Sequence, residues 1–329
     1  MTGPVLAWLA AHEPDVVGRA AAVLLPKDAL RVAVARGPLV TDRSDASATL
    51  LWDVPGDGWS EPATAAAGVR RDLLPGVRPA DDVVGTATLA GAEVPVVVGG
   101  ADTPLALLAA GTTGGAQVNL GTGAQVLRPG WDPVPVEDPV VHGYAQVLAG
   151  WYSMAALQNG GSAWAWVRQV LGLTWAEFFE AAASTGPTRV VFRPFLTGER
   201  GGVAGPHDRG GWSGLEEGTT RAELVRAAVE GVVFAIDAAL KLLDLPGNGA
   251  PLVLTGGGGR APVVRRLLAD VTGRRVRWSP LRSASAIGAA LLAARGTGAE
   301  VVPAGEGAAV VEPSRDAGLD AARERWRAG

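Results

Sequence analysis

One aspartate and two glycine-rich turns are the residues of this sequence best suited to chemistry. The aspartate is Asp102, which follows the apolar run Val96-Val97-Val98 and the pair Gly99-Gly100. A carboxylate just beyond a strand end is well placed to take a proton. The first turn, Gly121-Thr122-Gly123, sits between Gln117-Val118-Asn119-Leu120 and Ala124-Gln125 and reads as strand, tight turn, strand. The second, Gly256-Gly257-Gly258-Gly259, follows the buried-strand pattern Leu252-Val253-Leu254-Thr255 and leads into a helix. Glycine leaves room where backbone must approach a phosphate or a flat base, because no Cβ stands in the way. One candidate base and two such cradles together imply a nucleotide-dependent phosphotransferase.

Each feature also has a plainer explanation. Asp102 precedes Pro104-Leu105 and could simply cap a helix. Gly121-Thr122-Gly123 could be an ordinary hairpin turn. Four consecutive glycines are harder to explain by turn geometry, so Gly256, Gly257, Gly258 and Gly259 favour ligand approach. The eleven tryptophans read mostly as core or inter-domain packing, with a few left open as the lining of a sugar pocket. The dispersed histidines His12, His142 and His207 read as structural or solvated residues.

The elements that must position these residues alternate between helices and short apolar strands, which indicates α/β layering. Helical segments are expected at 6–9, 16–22 and beyond Pro26, with a capping- and turn-rich stretch at 41–47. Loops are expected at 55–63 and 75–82, short strands over 83–98, and a helix over 104–110. The pattern then resets, with strands near 117–128 and 144–148 and a helix over 161–171. A strand at 190–195 precedes a long glycine-rich polar stretch, 197–219. The strongest periodic segment is a helix over 221–243. Next come a strand at 251–255, a helix at 262–272, a strand at 276–278 and a helix at 284–294. The tail from Gly296 is expected to end in a charged, frayed helix. The length and this reset predict two domains, 1–112 and 113–329.

Composition narrows the function further. A formal net charge of −4 without a basic stripe argues against nucleic acid as the partner. Cysteine is absent, which removes disulfides and thiolate-ligated metals, and three scattered histidines argue against zinc. Residues 1–11 lack the basic start of a signal peptide. The apolar run 227–243 is interrupted by Glu230, Asp237 and Lys241, so it predicts an amphipathic helix rather than a membrane span. The expectation is a cytoplasmic protein with no membrane partner.

Several ordered motifs carry a resemblance. Gly210-Gly211-Trp212-Ser213-Gly214-Leu215, followed by Glu223-Leu224 and Ala227-Ala228-Val229-Glu230, resembles in spacing and residue type the C-terminal signature of the FGGY carbohydrate kinases. Phe195-Leu196-Thr197-Gly198-Glu199-Arg200 is similar to that family's "GER" loop. Asp45-Ala46-Ser47-Ala48-Thr49-Leu50-Leu51 and Leu24-Leu25-Pro26-Lys27-Asp28 resemble landmarks of its substrate domain. The likeness runs from about residue 6 to residue 295 and is strongest to the xylulokinase-like branch. It implies an actin-like ATPase fold of two ribonuclease H-like domains, the first incomplete and the second complete, with nucleotide and sugar in the cleft between them. It implies that Asp102 is the general base, taking a proton from a sugar hydroxyl as that oxygen attacks the γ-phosphate of Mg-ATP. By the same resemblance Gly121, Thr122 and Gly123 form the second phosphate loop, and Gly256 to Gly259 lie against adenosine. ATP and Mg2+ are the implied cofactors, with no metal ligand assigned. A small sugar, most closely a ketopentose such as xylulose, is the implied substrate, and a homodimer is left open.

The departures from the pattern matter. Family members open with an Asp-x-Gly-Thr turn, the first phosphate loop, and no such turn precedes Asp102; Gly85-Thr86 lacks an upstream aspartate at the right spacing. The expectation is a chain that starts within the second half of domain one, through a late start codon or a true truncation. A separate polypeptide that supplies the missing half is a further alternative, and an exposed apolar face on the first domain would be its sign. A non-catalytic relative that binds nucleotide, sugar or a protein partner is the second reading. The base is framed here as Ala101-Asp102-Thr103 rather than Gly-Asp-Gln or Gly-Asp-Asn, and Gly201-Gly202 replaces the usual Thr-Pro after Arg200. Glu199 and Arg200 could also be a surface ion pair of little worth.

Overall fold

The structure is a computed structural model that describes residues 1–35, 37–112, 114–134, 136–137, 139–245, 247, 249–301 and 310–329. Seven strands form its large sheet, in the spatial order Val310–Val311, Val276–Trp278, Leu252–Thr255, Gln117–Leu120, Ala124–Pro129, Trp151–Leu157 and His142–Ala145. Leu252–Thr255 runs parallel to both its neighbours. The remaining pairs are antiparallel. Two adjacent parallel strands therefore end at the same edge of the sheet, one running into Gly121 and the other into Gly256. Loops beyond the carboxyl ends of such strands are where open α/β sheets hold ligands.

Strand Leu252–Thr255 is buried along its whole length, as expected of a central strand covered on both faces. The helix Arg221–Leu242 packs on the same sheet, over strands Ala124–Pro129 and Trp151–Leu157. It begins with a capping box in which the Thr220 hydroxyl accepts from the Glu223 amide and the Glu223 carboxylate accepts from the Thr220 amide. From Val225 to Ile236 every side chain on it is buried. Gly231 lies against strand Val191–Arg193 so closely that a Cβ would overlap the Phe192 carbonyl oxygen. The charged pair Arg226–Glu230 is buried in the same helix, joined at 2.6 Å, and Arg226 also donates to the Ala182 carbonyl.

The first part of the chain carries smaller pieces: strand Val40–Asp42 parallel to Gly76–Arg78, and the hairpin Val83–Leu89 with Ala92–Val97. The helix Pro26–Ala35 is inverted, with Asp28 and Arg31 buried while Leu30 is 65% and Val34 56% exposed. Val5 and Trp8 on helix Thr2–His12 are exposed too. The helix Ala284–Thr297 joins the two parts by crossing helix Asp102–Ala110 at Gly288, where a Cβ would overlap the Leu105 carbonyl. Thr113, the first residue of the expected second domain, lies outside the described residues.

Several expected elements are replaced. The supposed loop 55–63 holds strand Gly58–Trp59 and the start of helix Glu61–Ala66, while 75–82 holds strand Gly76–Arg78. The strand Trp151–Leu157 and the helix Trp175–Ser184 are additions to the expected order. The tail helix Ala317–Ala328 is not frayed: Trp326 is buried in the core and its indole N–H donates to the Phe192 carbonyl at 3.0 Å.

Candidate functional site

The two glycine turns meet at the mouth of a cavity of about 1060 Å³. The first is closed by a hydrogen bond from the Gly121 amide to the Gly123 carbonyl, 2.9 Å. It is backed by the turn that enters helix Gly161–Val170. There the amides of Gly160 and Ser162 donate to the Thr122 carbonyl at 3.1 and 2.9 Å, and that of Gly161 to the Gly121 carbonyl at 2.9 Å. A Cβ on Gly123 would overlap the Leu157 carbonyl, so this glycine is required by protein packing. Gly121 has nothing within 4 Å of its Cβ position and lines the cavity.

The second turn divides the same way. Gly256 has a φ of +87°, and a Cβ there would meet the Leu120 carbonyl oxygen at 2.5 Å. Gly258 would meet Leu120 Cγ at 2.5 Å, and Gly259 would meet Trp278 Cδ1 at 2.7 Å. Gly257 alone of the four faces open space, and it lines the cavity. Three of the four glycines are thus explained by backbone conformation and close packing, and one by access. Of the predicted residues, Gly121, Thr122, Gly257 and Gly258 line one cavity, while Gly123, Gly256 and Gly259 support it from behind.

Asp102 stands apart from this cavity's lining. It is the first residue of helix Asp102–Ala110, whose N-cap is Ala101 and carries no side-chain cap. The capping role weighed from the sequence is therefore not the one observed. The Asp102 side chain is exposed and accepts from its neighbour Thr103, from the amide at 2.7 Å and from the hydroxyl at 3.3 Å. Its corner is tied down by Ser44, whose Oγ accepts from the Ala101 amide at 2.9 Å and donates to Asp42. Asp42 belongs to a cluster around Lys27, whose ammonium lies 2.7 Å from Asp28, 3.1 Å from Asp42 and 3.5 Å from Asp45. The sequence marked the motifs that hold these residues without assigning them to a site.

Burial raises the Asp45 carboxyl to about 6, with Asp42 and Asp28 adding to the effect and Lys27 opposing it. Burial also pushes the Tyr152 phenol strongly up, reinforced by Tyr144, Asp102 and Asp45, so Tyr152 is neutral and feels both carboxylates. The Asp45 value lies above the ordinary 3.8. Its contribution to stability is accordingly full below about pH 4 and lost as pH rises through about 6. Asp45→Asn stays neutral, so it should gain stability relative to the parent protein between pH 4 and 7. Denaturant unfolding at several pH values reads this, and a stability difference that is flat with pH contradicts it.

Glu199 corrects the expectation of a surface ion pair. It is 1% exposed and pairs with backbone rather than with a cation. Its carboxylate accepts from the amides of Gln158 at 2.7 Å, Arg200 at 3.0 Å and Asn159 at 3.4 Å, and from Asn159 Nδ2 at 3.2 Å. Residues 158–160 sit directly behind the Gly121–Gly123 turn, so Glu199 braces that turn through its backing. Glu199→Gln turns one acceptor into a donor facing these amides and should cost about 2 kcal/mol of stability. Arg200→Ala should leave stability nearly unchanged. Equal midpoints in urea for Glu199→Gln and the parent protein would contradict the bracing role.

The far end of the cavity is aromatic, with Trp166 and Gln169 on helix Gly161–Val170 and Trp175 and Phe179 on helix Trp175–Ser184. Gln169 is eight residues beyond Gly161, or about 12 Å along the helix. Trp175 stacks on Phe179 with ring centroids 5.7 Å apart. Trp166 and Trp175 belong to the tryptophans that read mostly as packing, although the Thr174/Glu177 capping box marks the start of the Trp175–Ser184 helix in the sequence. Among the described residues no group of three acidic, histidine or cysteine side chains could hold a metal ion, and no helix is long and apolar enough to cross a membrane.

Residues 1–109 match the N-terminal domain of the FGGY family of carbohydrate kinases, and residues 116–297 match its C-terminal domain. The chain is 32% identical over 308 residues to a xylulose kinase of Klebsiella pneumoniae, covering 89% of this chain and 62% of that protein. It is 31% identical over 307 residues to a xylulose kinase of Escherichia coli K12, covering 89% and 63%. The chain thus spans less than two thirds of the length of these relatives. A xyloylose kinase from Brucella ovis superposes with a TM-score of 0.88 at 28% identity, covering all of this chain and 72% of that one. A Plasmodium falciparum glycerol kinase with ADP superposes at 0.85 but is 18% identical, a likeness of fold alone. The mixed α/β fold is that of the actin-like ATPase kinases. With both family domains matched in order along the sequence, the chain belongs to the FGGY family of carbohydrate kinases.

Proposed function

We propose that this chain carries the phosphoryl-transfer machinery of an ATP-dependent sugar kinase acting on a ketopentose such as xylulose. The observation that supports it most is the pair of glycine turns at neighbouring parallel strand ends, each with one open glycine on a shared cavity. That cavity suits a nucleoside triphosphate. Phosphates would lie over Gly121, Thr122 and Gly257, close to the N-terminus of helix Gly161–Val170, whose dipole favours negative charge. The base would reach the aromatic end. Asp102, exposed and bound only to its own neighbour, is free to accept a proton from a sugar hydroxyl as that oxygen attacks the γ-phosphate. Lys27, Asp42 and Ser44 hold the Ala101–Asp102 corner, so the base does not wander. Mg2+, bound mainly by phosphates and water as is usual for that ion, would neutralise charge on the transferring group.

The choice of a ketopentose rests on the xylulose kinases among the similar proteins. It is tested by comparing kcat/KM for xylulose, ribulose, glycerol and gluconate with ATP in excess. Preference for xylulose supports the reading, and preference for glycerol or gluconate overturns the ketopentose assignment.

A further inference from the structure

We propose that the cavity is a purine-nucleotide site that does not distinguish adenine from guanine. This rests on the nucleotide reading above and extends it to the identity of the phosphoryl donor. Beyond the glycine turns the cavity is lined largely by flat rings and small apolar groups, among them Trp166, Trp175, Phe179, Ala165, Ala261 and Pro262. Stacking on such faces is tolerant of base identity, because every base has a π-face. The walls are held in advance, Trp175 by Phe179 and Trp166 by Trp212, the latter pair 5.5 Å apart.

Discrimination needs polar groups that are desolvated and left unpaired by the wrong base. This end of the cavity lacks that property. Trp166 is 39% and Trp175 43% exposed, and Gln169 and Arg260 are exposed as well. A mismatched base edge there would keep its water. Gln169 lies three residues after Trp166, on the same helix face, and is the one primary amide on the cavity wall. An amide offers one acceptor and a donor group side by side and reverses their order by a half turn. It therefore complements the N6–H and N1 of adenine or the O6 and N1–H of guanine equally well. Gln169 can therefore bind either purine edge without choosing between them, and any preference over a pyrimidine rests on stacking area. A pyrimidine, with one ring, would cover less of the aromatic wall.

The test is equilibrium binding of ADP, GDP and CDP with Mg2+ to the full chain, followed by calorimetry, so that no turnover is required. The expected result is ADP and GDP within about tenfold of one another and CDP about tenfold weaker. Gln169→Leu, an exposed helix position whose fold is checked by circular dichroism, should weaken both purines by a similar factor. ADP binding more than tenfold tighter than GDP overturns the inference and leaves the nucleotide site standing. So does a Gln169→Leu variant that shifts the ADP-to-GDP ratio or leaves both affinities unchanged. Failure of both ADP and GDP to bind overturns the nucleotide reading itself.

Discussion

Replacing Asp102 by asparagine is expected to slow phosphoryl transfer by about 10²-fold or more, with nucleotide affinity nearly unchanged. The two parts of this expectation have separate structural grounds. Asparagine keeps the size and the exposed position of the side chain but cannot take a proton at neutral pH. Among the described residues the carboxylate bonds only to Thr103, so its loss removes no brace there. It also lies off the lining of the cavity shared by the glycine turns, so nucleotide contacts remain. Steady-state turnover read together with a calorimetric ATP titration separates the two. Turnover retained in Asp102→Asn would remove it from the base role, and a parallel loss of ATP binding would mean that the change propagates through the fold.

Gly257→Val should weaken nucleotide binding by about 10²-fold, equivalent to ~2.8 kcal/mol, while leaving the protein folded. Gly258→Val should instead destabilise the fold. The two positions are adjacent in sequence, yet a Cβ at 257 points into open cavity and one at 258 drives into Leu120 at 2.5 Å and Trp164 at 3.2 Å. Trp164 is buried and anchored through its indole N–H to the Ala228 carbonyl, so it has little freedom to yield. Overpacking at 258 is expected to cost about 1–3 kcal/mol of stability. A Gly257→Val variant that binds ATP as the parent does, or that unfolds instead, would contradict the assignment of that glycine to ligand access.

These neighbouring glycines also mark how far the sequence could be read. Strand–turn–strand at 117–128 and strand–turn–helix at 252–272 were legible because aliphatic runs abut glycine with no other plausible pairing. That the two strands lie side by side and parallel is a long-range fact with no local signature. The motif as a whole suggested ligand approach, but which glycine serves access and which serves packing depends on Leu120, Leu157 and Trp278, residues distant in sequence. Glu199 shows the same limit: a glutamate beside an arginine reads as an ion pair until three backbone amides are seen to converge on it. The tail helix looked frayed from its charges, whereas Leu319, Ala322 and Trp326 form a buried stripe at helical spacing that the charges obscured. The aromatic end of the cavity was missed because exposed and buried tryptophans look alike in a sequence.

The central claim is that Asp102 and the two glycine turns act together on one phosphoryl group. Phosphorus NMR of the purified chain with Mg-ATP and xylulose tests it directly, run beside Asp102→Asn. The expected result is a new sugar phosphomonoester signal that grows as ADP forms and is absent on the same timescale from the variant. ATP bound by the chain with no ester formed from xylulose or any other ketopentose would contradict the claim.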